Sequence, residues 1–227
     1  METRATGRYH FLDALRGLAA LAVLLAHVVS EVSPAYDRAA FSYFQLGNFG
    51  VLIFFLVSGF IIPRSLERGG LGAFWAGRLF RLYPLYLAGT LALLILLALD
   101  VARPILAVRV IAPDLLRAEP ALMLASNLLP IQEFFGLPKA SGVYWTLAFE
   151  LLFYALLSLA YMVGWHRRNV SLAVGALLMA LIIEGLPAHL LGSTLPRHGT
   201  LVYVATMFVG TVAYRWVRGE VGPYAAL

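Results

Sequence analysis

The chain has 227 residues, 61% of them hydrophobic and only 13% charged, and it contains no cysteine. That balance excludes an ordinary soluble domain, which is nearer half apolar and a quarter charged, and the missing thiols exclude disulfides, a cysteine nucleophile and cysteine-ligated metal. The formal net charge of +5 could suit nucleic acid, but the arginines cluster in short stretches between apolar runs, where they act as topology signals, so no nucleic-acid partner is expected.

The chain reads as one all-α, polytopic transmembrane helix bundle over residues 1–227, with about six spans. The first span is about Phe11 to Ser30. A basic lead and an apolar run also fit a signal peptide, but no convincing small-residue cleavage site follows, so a retained span is expected. This span carries Asp13, Arg16 and His27. Ionisable groups inside a membrane helix are costly and are functional candidates by default. At about 100° per residue all three fall on one stripe, with Gly17 and Ala20 as small neighbours, and the stripe should face a protein interior.

The second span, about Phe49 to Pro63, is short, holds FFLVSGFII and is expected to stop at Pro63. A basic loop with Arg64, Arg68, Arg78 and Arg81 follows. The third span, about Leu82 to Leu99, begins where Pro84 suits a first helical turn. Residues 100–142 carry five prolines, and the apolar run from Ala121 to Leu129 is too short to cross a bilayer. An interfacial or re-entrant helix is expected over 121–135. Three further spans follow: Trp145 to Val163, Ser171 to Leu186, and Thr200 to Val217. With the N-terminus inside, 11 of the 17 basic residues fall on the cytoplasmic side, as the positive-inside rule requires. Trp75, Trp145, Trp165 and Trp216 fall near span ends, where an aromatic belt forms.

His27 is the first chemical candidate. A neutral imidazole in a semi-dry cavity suits a general base that takes a hydroxyl proton. His10, His166, His189 and His198 lie in loops or at span ends and read as solvated. No two histidines have metal-ligand spacing, so no metal is expected. Arg78 and Arg81 share a helix start and suit a polyphosphate ligand, although such arginines also serve as membrane anchors. Ser58 and Gly59 suit close helix packing better than nucleophilic catalysis. Glu150 lies in the first turns of a span and needs a partner there.

These residues fall in motifs that resemble the acyltransferase family 3 membrane proteins. LDALRGLAALAVLLAHV, with Arg16 and His27, is similar to that family's opening motif; FFLVSGFII resembles its second-span motif. Arg78-Leu79-Phe80-Arg81 before Leu-Tyr-Pro resembles its R-x-x-R motif. YWTLAFELLFY resembles its W-S/T-L-x-x-E-x-x-F-Y pattern, and YVATMFVGTVAYRW its later glycine-containing span. The resemblance implies an integral-membrane O-acyltransferase that moves an acyl group, often acetyl, from acyl-CoA to a hydroxyl of a saccharide or glycan acceptor. By the same resemblance Arg16 and His27 form the essential pair, Arg78 and Arg81 contact the donor, and Glu150 supports the site. Asp13 and Ser58 would line it. Acyl-CoA enters as donor substrate, no permanently bound cofactor is implied, and the setting is a bacterial inner membrane. The family usually has more spans than the six read here, which implies a chain short at its C-terminus. Two other readings of the same residues are a transporter-like bundle, with the charged stripe as a proton or anion path, and an inactive fragment of an acyltransferase.

Overall fold

The computed structural model describes residues 10–33, 45–99, 118–165 and 200–220. These form six α-helices: α1 (His10–Val32), α2 (Leu46–Ala98), α3 (Pro120–Ser126), α4 (Gln132–Phe135), α5 (Trp145–Met162) and α6 (Thr200–Val217). A 3-10 turn, Gly142–Tyr144, leads into α5. Among the described residues, three stretches are long and apolar enough to cross a membrane: His10–Val29, Leu46–Leu96 and Gly142–Met162. Val202–Val217 is a shorter apolar helix. The protein is a helical membrane bundle. The expected span Ser171–Leu186 lies outside the described residues.

Residues divide between two compact units, one containing residues up to Pro63 and from Val202 onward, the other containing Arg64–His166. In the first unit α1 and α2 run antiparallel along a seam of small residues. A Cβ added at Gly50 would lie 2.8 Å from the Ala19 carbonyl oxygen, and one at Gly47 would lie 3.2 Å from the Ala26 Cβ. In a bilayer, where lipid is as apolar as leucine, such close backbone approach is what holds helices together. The seam uses Ala19, Ala22 and Ala26, whereas Gly17 and Ala20, the small neighbours expected from sequence, are exposed. At the N-terminal end of α1, Leu12 joins Val57, Phe60 and Tyr214 in a buried cluster. Phe60 meets Tyr214 edge-on, with ring centroids 5.6 Å apart.

The tightest contact of this unit is between α2 and α6. A Cβ at Gly59 would lie 1.9 Å from the Met207 carbonyl oxygen, and one at Gly210 would lie 2.2 Å from the Leu56 carbonyl oxygen. Both glycines belong to the motifs singled out in sequence, and their shared purpose is to let two backbones touch.

The structure corrects the expected end of the second span. The helix does not stop at Pro63 but runs on through it, and the arginines expected in a loop are helical. A proline within a helix removes its own N–H and strands the carbonyl four residues earlier, here that of Gly59. Thr211 Oγ1 donates to the Gly59 carbonyl at 3.1 Å, sharing its proton with the Met207 carbonyl at 3.2 Å. The break comes at Gly70, with φ 67° and ψ 178°, a conformation open almost only to glycine. At 1.5 Å per residue α2 would be roughly 75–80 Å long, more than twice a hydrocarbon core, so the two halves flanking Gly70 are each span-length. Pro84 likewise sits inside the second half, not at a helix start.

In the second unit the later half of α2 packs by an i, i+4 row: Phe74, Arg78, Tyr86, Thr90 and Leu94 are buried. The region expected to hold one interfacial or re-entrant helix forms two short ones, α3 and α4, neither of spanning length. A closed polar network secures them. Asn127 Nδ2 donates to the Met123 and Pro138 carbonyls at 2.8 and 3.1 Å, while its Oδ1 accepts from Ala140 N at 2.9 Å and Gln132 Nε2 at 3.2 Å. Gln132 Nε2 also reaches the Tyr86 hydroxyl at 2.9 Å, and that hydroxyl donates to the Asn127 carbonyl at 3.0 Å. Leu122, Leu124, Leu128, Leu129 and Phe135 point outward. A segment with its polar groups satisfied inside and leucines outside can lie against lipid without crossing it.

Helix α6 ends in a Schellman cap. Gly219 is left-handed at φ 72°, its N–H bonds the Trp216 carbonyl at 2.9 Å, and Glu220 N bonds the Arg215 carbonyl at 3.0 Å. The cap turns Glu220 back onto α6, where it pairs with buried Arg215 and with Arg218 Nε at 2.9 Å.

Candidate active site

Arg16, His27, Asp13 and Ser58 belong to the first unit, and Arg78, Arg81 and Glu150 to the second. On α1 the inward face is a 3.6-period row: Leu12 and Ala19 are buried, and Leu15, Arg16, Ala22, Val23 and Ala26 half-buried. At 100° per residue Arg16 lies about 60° from the centre of that row, His27 about 80° and Asp13 about 120°. The boundary of burial therefore cuts through the expected stripe. Arg16 is half-buried, while Asp13 and His27 are exposed. The expectation that all three face a protein interior holds only for Arg16.

His27 lies two residues before the end of the apolar stretch His10–Val29. Its Nδ1 is 2.7 Å from the Val23 carbonyl oxygen. Because a carbonyl only accepts, Nδ1 carries the proton in that bond and Nε2 keeps the lone pair that a general base needs. Ser58 is 1% exposed, and its Oγ has no hydrogen-bond partner among the described residues. Its position beside Gly59, where the backbones of α2 and α6 touch, fits packing.

The second unit assembles a cluster that sequence reasoning only half found. Arg78 is buried and Arg81 exposed, although three residues separate them; the 60° offset between such positions puts them on opposite sides of the burial boundary. The Arg78 guanidinium carbon lies 5.6 Å from the Phe74 ring centroid and 5.5 Å from that of Tyr154. Arginine stacks on aromatic faces in this way because its planar cation is weakly hydrated and the ring face is electron-rich. Facing it on α5, Glu150, Tyr154 and Ser158 form an i, i+4, i+8 row. The Tyr154 hydroxyl donates to Glu150 Oε1, and the Trp75 indole donates to Ser158 Oγ at 3.1 Å. Tyr154 packs edge-on against Phe74 and Trp75, with centroids 5.6 and 6.2 Å apart.

Arg78 and Glu150, expected from sequence as separate site residues, are thus brought onto one tyrosine. Tyr154 feels the charge of both. Arg78 nevertheless makes no ion pair with a carboxylate among the described residues. Tyr154 and Phe74 carried no assigned role in sequence, and Trp75 only a place in the aromatic belt. The available signal was the four-residue spacing of Glu150 to Tyr154 and of Phe74 to Arg78, which places each pair on one helical face.

Span-length apolar helices mark an integral-membrane protein, and the second unit buries a ring-stacked guanidinium. The chain belongs to acyltransferase family 3: the family described as "Acyltransferase domain" matches residues 9–222. It is also similar to the acyltransferase MdmB of Streptomyces mycarofaciens, at 30% identity over 163 residues, which is 69% of this chain and 38% of that protein. The chain therefore matches well under half the length of this relative. No solved structure matches it. The matched region is an acyltransferase domain.

Proposed function

We propose that this acyltransferase moves an acetyl or similar acyl group from acyl-CoA to a hydroxyl of a saccharide or related envelope-associated acceptor. The N-terminus would be cytoplasmic in a bacterial inner membrane, the orientation favoured by the distribution of basic residues. The observation that carries the donor assignment is Arg78: a nearly buried guanidinium on two aromatic faces, with no carboxylate ion pair among the described residues. A buried cation in that state favours an anionic ligand, and the fork of an arginine matches phosphate oxygens. Arg81, exposed one turn further on, would reach the more solvated phosphates of the same donor.

His27 Nε2 takes the proton from the acceptor hydroxyl in this reading. The oxygen attacks the thioester carbonyl, the tetrahedral intermediate collapses, and the CoA thiolate leaves and is protonated as the ester forms. Arg16, half-buried on the same helix, offers positive charge for the anionic intermediate or for the donor. Asp13 would line the solvent side of that helix. The support for His27 is its Nδ1 bond to Val23, which selects the basic tautomer on Nε2. Replacing His27 with Ala should abolish acyl transfer while the protein still inserts and folds; a His27→Ala protein with full transfer activity would contradict this role.

A further inference from the structure

A cation and an anion buried near one another in a medium of low dielectric attract strongly, and the contact ion pair is their usual resting state. Arg78 and Glu150 do not reach it: no ion pair joins them, yet each is held by Tyr154. Glu150 accepts the phenol proton, and Arg78 lies over the ring. The ring itself has little freedom to move. Tyr154 is fully buried, Phe74 and Trp75 meet it edge-on, and Trp75 is tied to Ser158 one turn further along α5.

We infer that Tyr154 is a positioning residue for donor binding: its hydroxyl occupies the Glu150 carboxylate and so keeps Arg78 from being neutralised before the donor arrives. This rests on the proposal that Arg78 binds the phosphates of a CoA donor. An arginine already locked to a carboxylate would have to break that pair to take a phosphate, and the donor's affinity would fall by the cost of breaking it. With the phenol as spacer, Glu150 has its hydrogen bond and Arg78 keeps its charge. Glu150 still contributes long-range attraction that holds Arg78 in the protein interior. The row of Tyr154, Phe74 and Trp75 rings provides a surface on which the guanidinium can rest without a counter-ion.

The test is binding of coenzyme A itself to the purified, detergent-solubilised chain, followed by calorimetry or by the rise in unfolding temperature. Tyr154→Phe keeps the ring, its edge contacts and the cation stacking, and removes only the hydroxyl. The inference predicts at least a tenfold loss of CoA affinity with little change in the unfolding temperature of the unliganded protein. Adding Glu150→Gln to Tyr154→Phe removes the charge that would capture Arg78 and should recover most of that loss. A purely structural role for Tyr154 gives no such recovery. Unchanged CoA affinity in Tyr154→Phe, or a double variant no better than the single one, overturns the inference while leaving the donor assignment standing. Failure of the wild-type protein to bind CoA overturns both.

Discussion

The Thr211 hydroxyl lies 3.1 Å from the Gly59 carbonyl, the oxygen that Pro63 deprives of its helical partner. A hydrogen bond between α6 and α2 thus repairs a defect made within α2. Replacing Thr211 with Val keeps the shape and removes the donor, leaving a buried carbonyl unsatisfied. The expected cost is about 1–2 kcal/mol, the range for a stranded buried acceptor or an interhelical bond in a membrane. Thr211→Ser, which keeps the hydroxyl, should recover most of it. Unfolding of the detergent-solubilised protein by heat or denaturant would measure both.

The glycines at the α2–α6 contact should be intolerant for a different reason. Gly59→Ala or Gly210→Ala drives a methyl group into backbone atoms, which cannot yield as a side chain can. We expect losses of about 3 kcal/mol or more, at the upper end of overpacking, with little folded protein recovered. Gly77→Ala is the control: nothing lies within 4 Å of its added Cβ, and the residue is helical. Its stability should stay within about 1 kcal/mol of wild type. Size-exclusion profiles and yields of the three variants distinguish the cases.

Arg78 and Arg81 should separate in donor kinetics. Arg78→Gln removes a buried charge and is expected to raise the KM for acyl-CoA by roughly 10- to 100-fold, the equivalent of about 1.5–3 kcal/mol for a hydrogen bond to a charged group. Arg81→Gln removes an exposed charge, for which about 0.2–1 kcal/mol is typical, and should change KM only a few-fold. Equal effects would mean that burial does not rank the two arginines.

Asn127 holds α3, α4 and the turn before α5 together through both ends of its amide. Asn127→Leu would strand the Ala140 N–H, while the Pro138 carbonyl keeps its bond from the Ser126 hydroxyl, at an expected cost of about 1–3 kcal/mol. The local signature should be faster amide hydrogen exchange across residues 120–141, with α1 unaffected. Uniform exchange in the variant and the wild type would show that the network is dispensable.

Several features were legible in the sequence because they follow from composition and period. The apolar runs gave the helical membrane class, and the proline-rich stretch after Asp100 correctly argued against a span over 121–135. The family assignment held as well. Other features depend on partners far along the chain. Pro63 reads as a helix end in isolation, and nothing local reveals that Thr211, 148 residues on, satisfies the carbonyl it strands. Helical spacing puts Arg78 beside Arg81 and Arg16 beside Asp13 and His27, but a shared stripe about 60° wide can straddle the edge of burial, and it does so in both cases. Tyr154 stood inside a recognised motif, yet its contact with Arg78 exists only because α2 and α5 pack together.

Labelled acetyl-CoA tests whether this chain transfers an acyl group from a CoA thioester. The wild-type protein, reconstituted in lipid, would be incubated with acetyl-CoA labelled in the acetyl group and with a panel of saccharides. Label should leave CoA and appear as an alkali-labile ester on an acceptor, or slowly as free acetate when no acceptor suits. Both products should vanish in His27→Ala and fall sharply in Arg78→Gln. Label remaining on CoA in the presence of folded wild-type protein, with every acceptor and without one, would contradict that transfer.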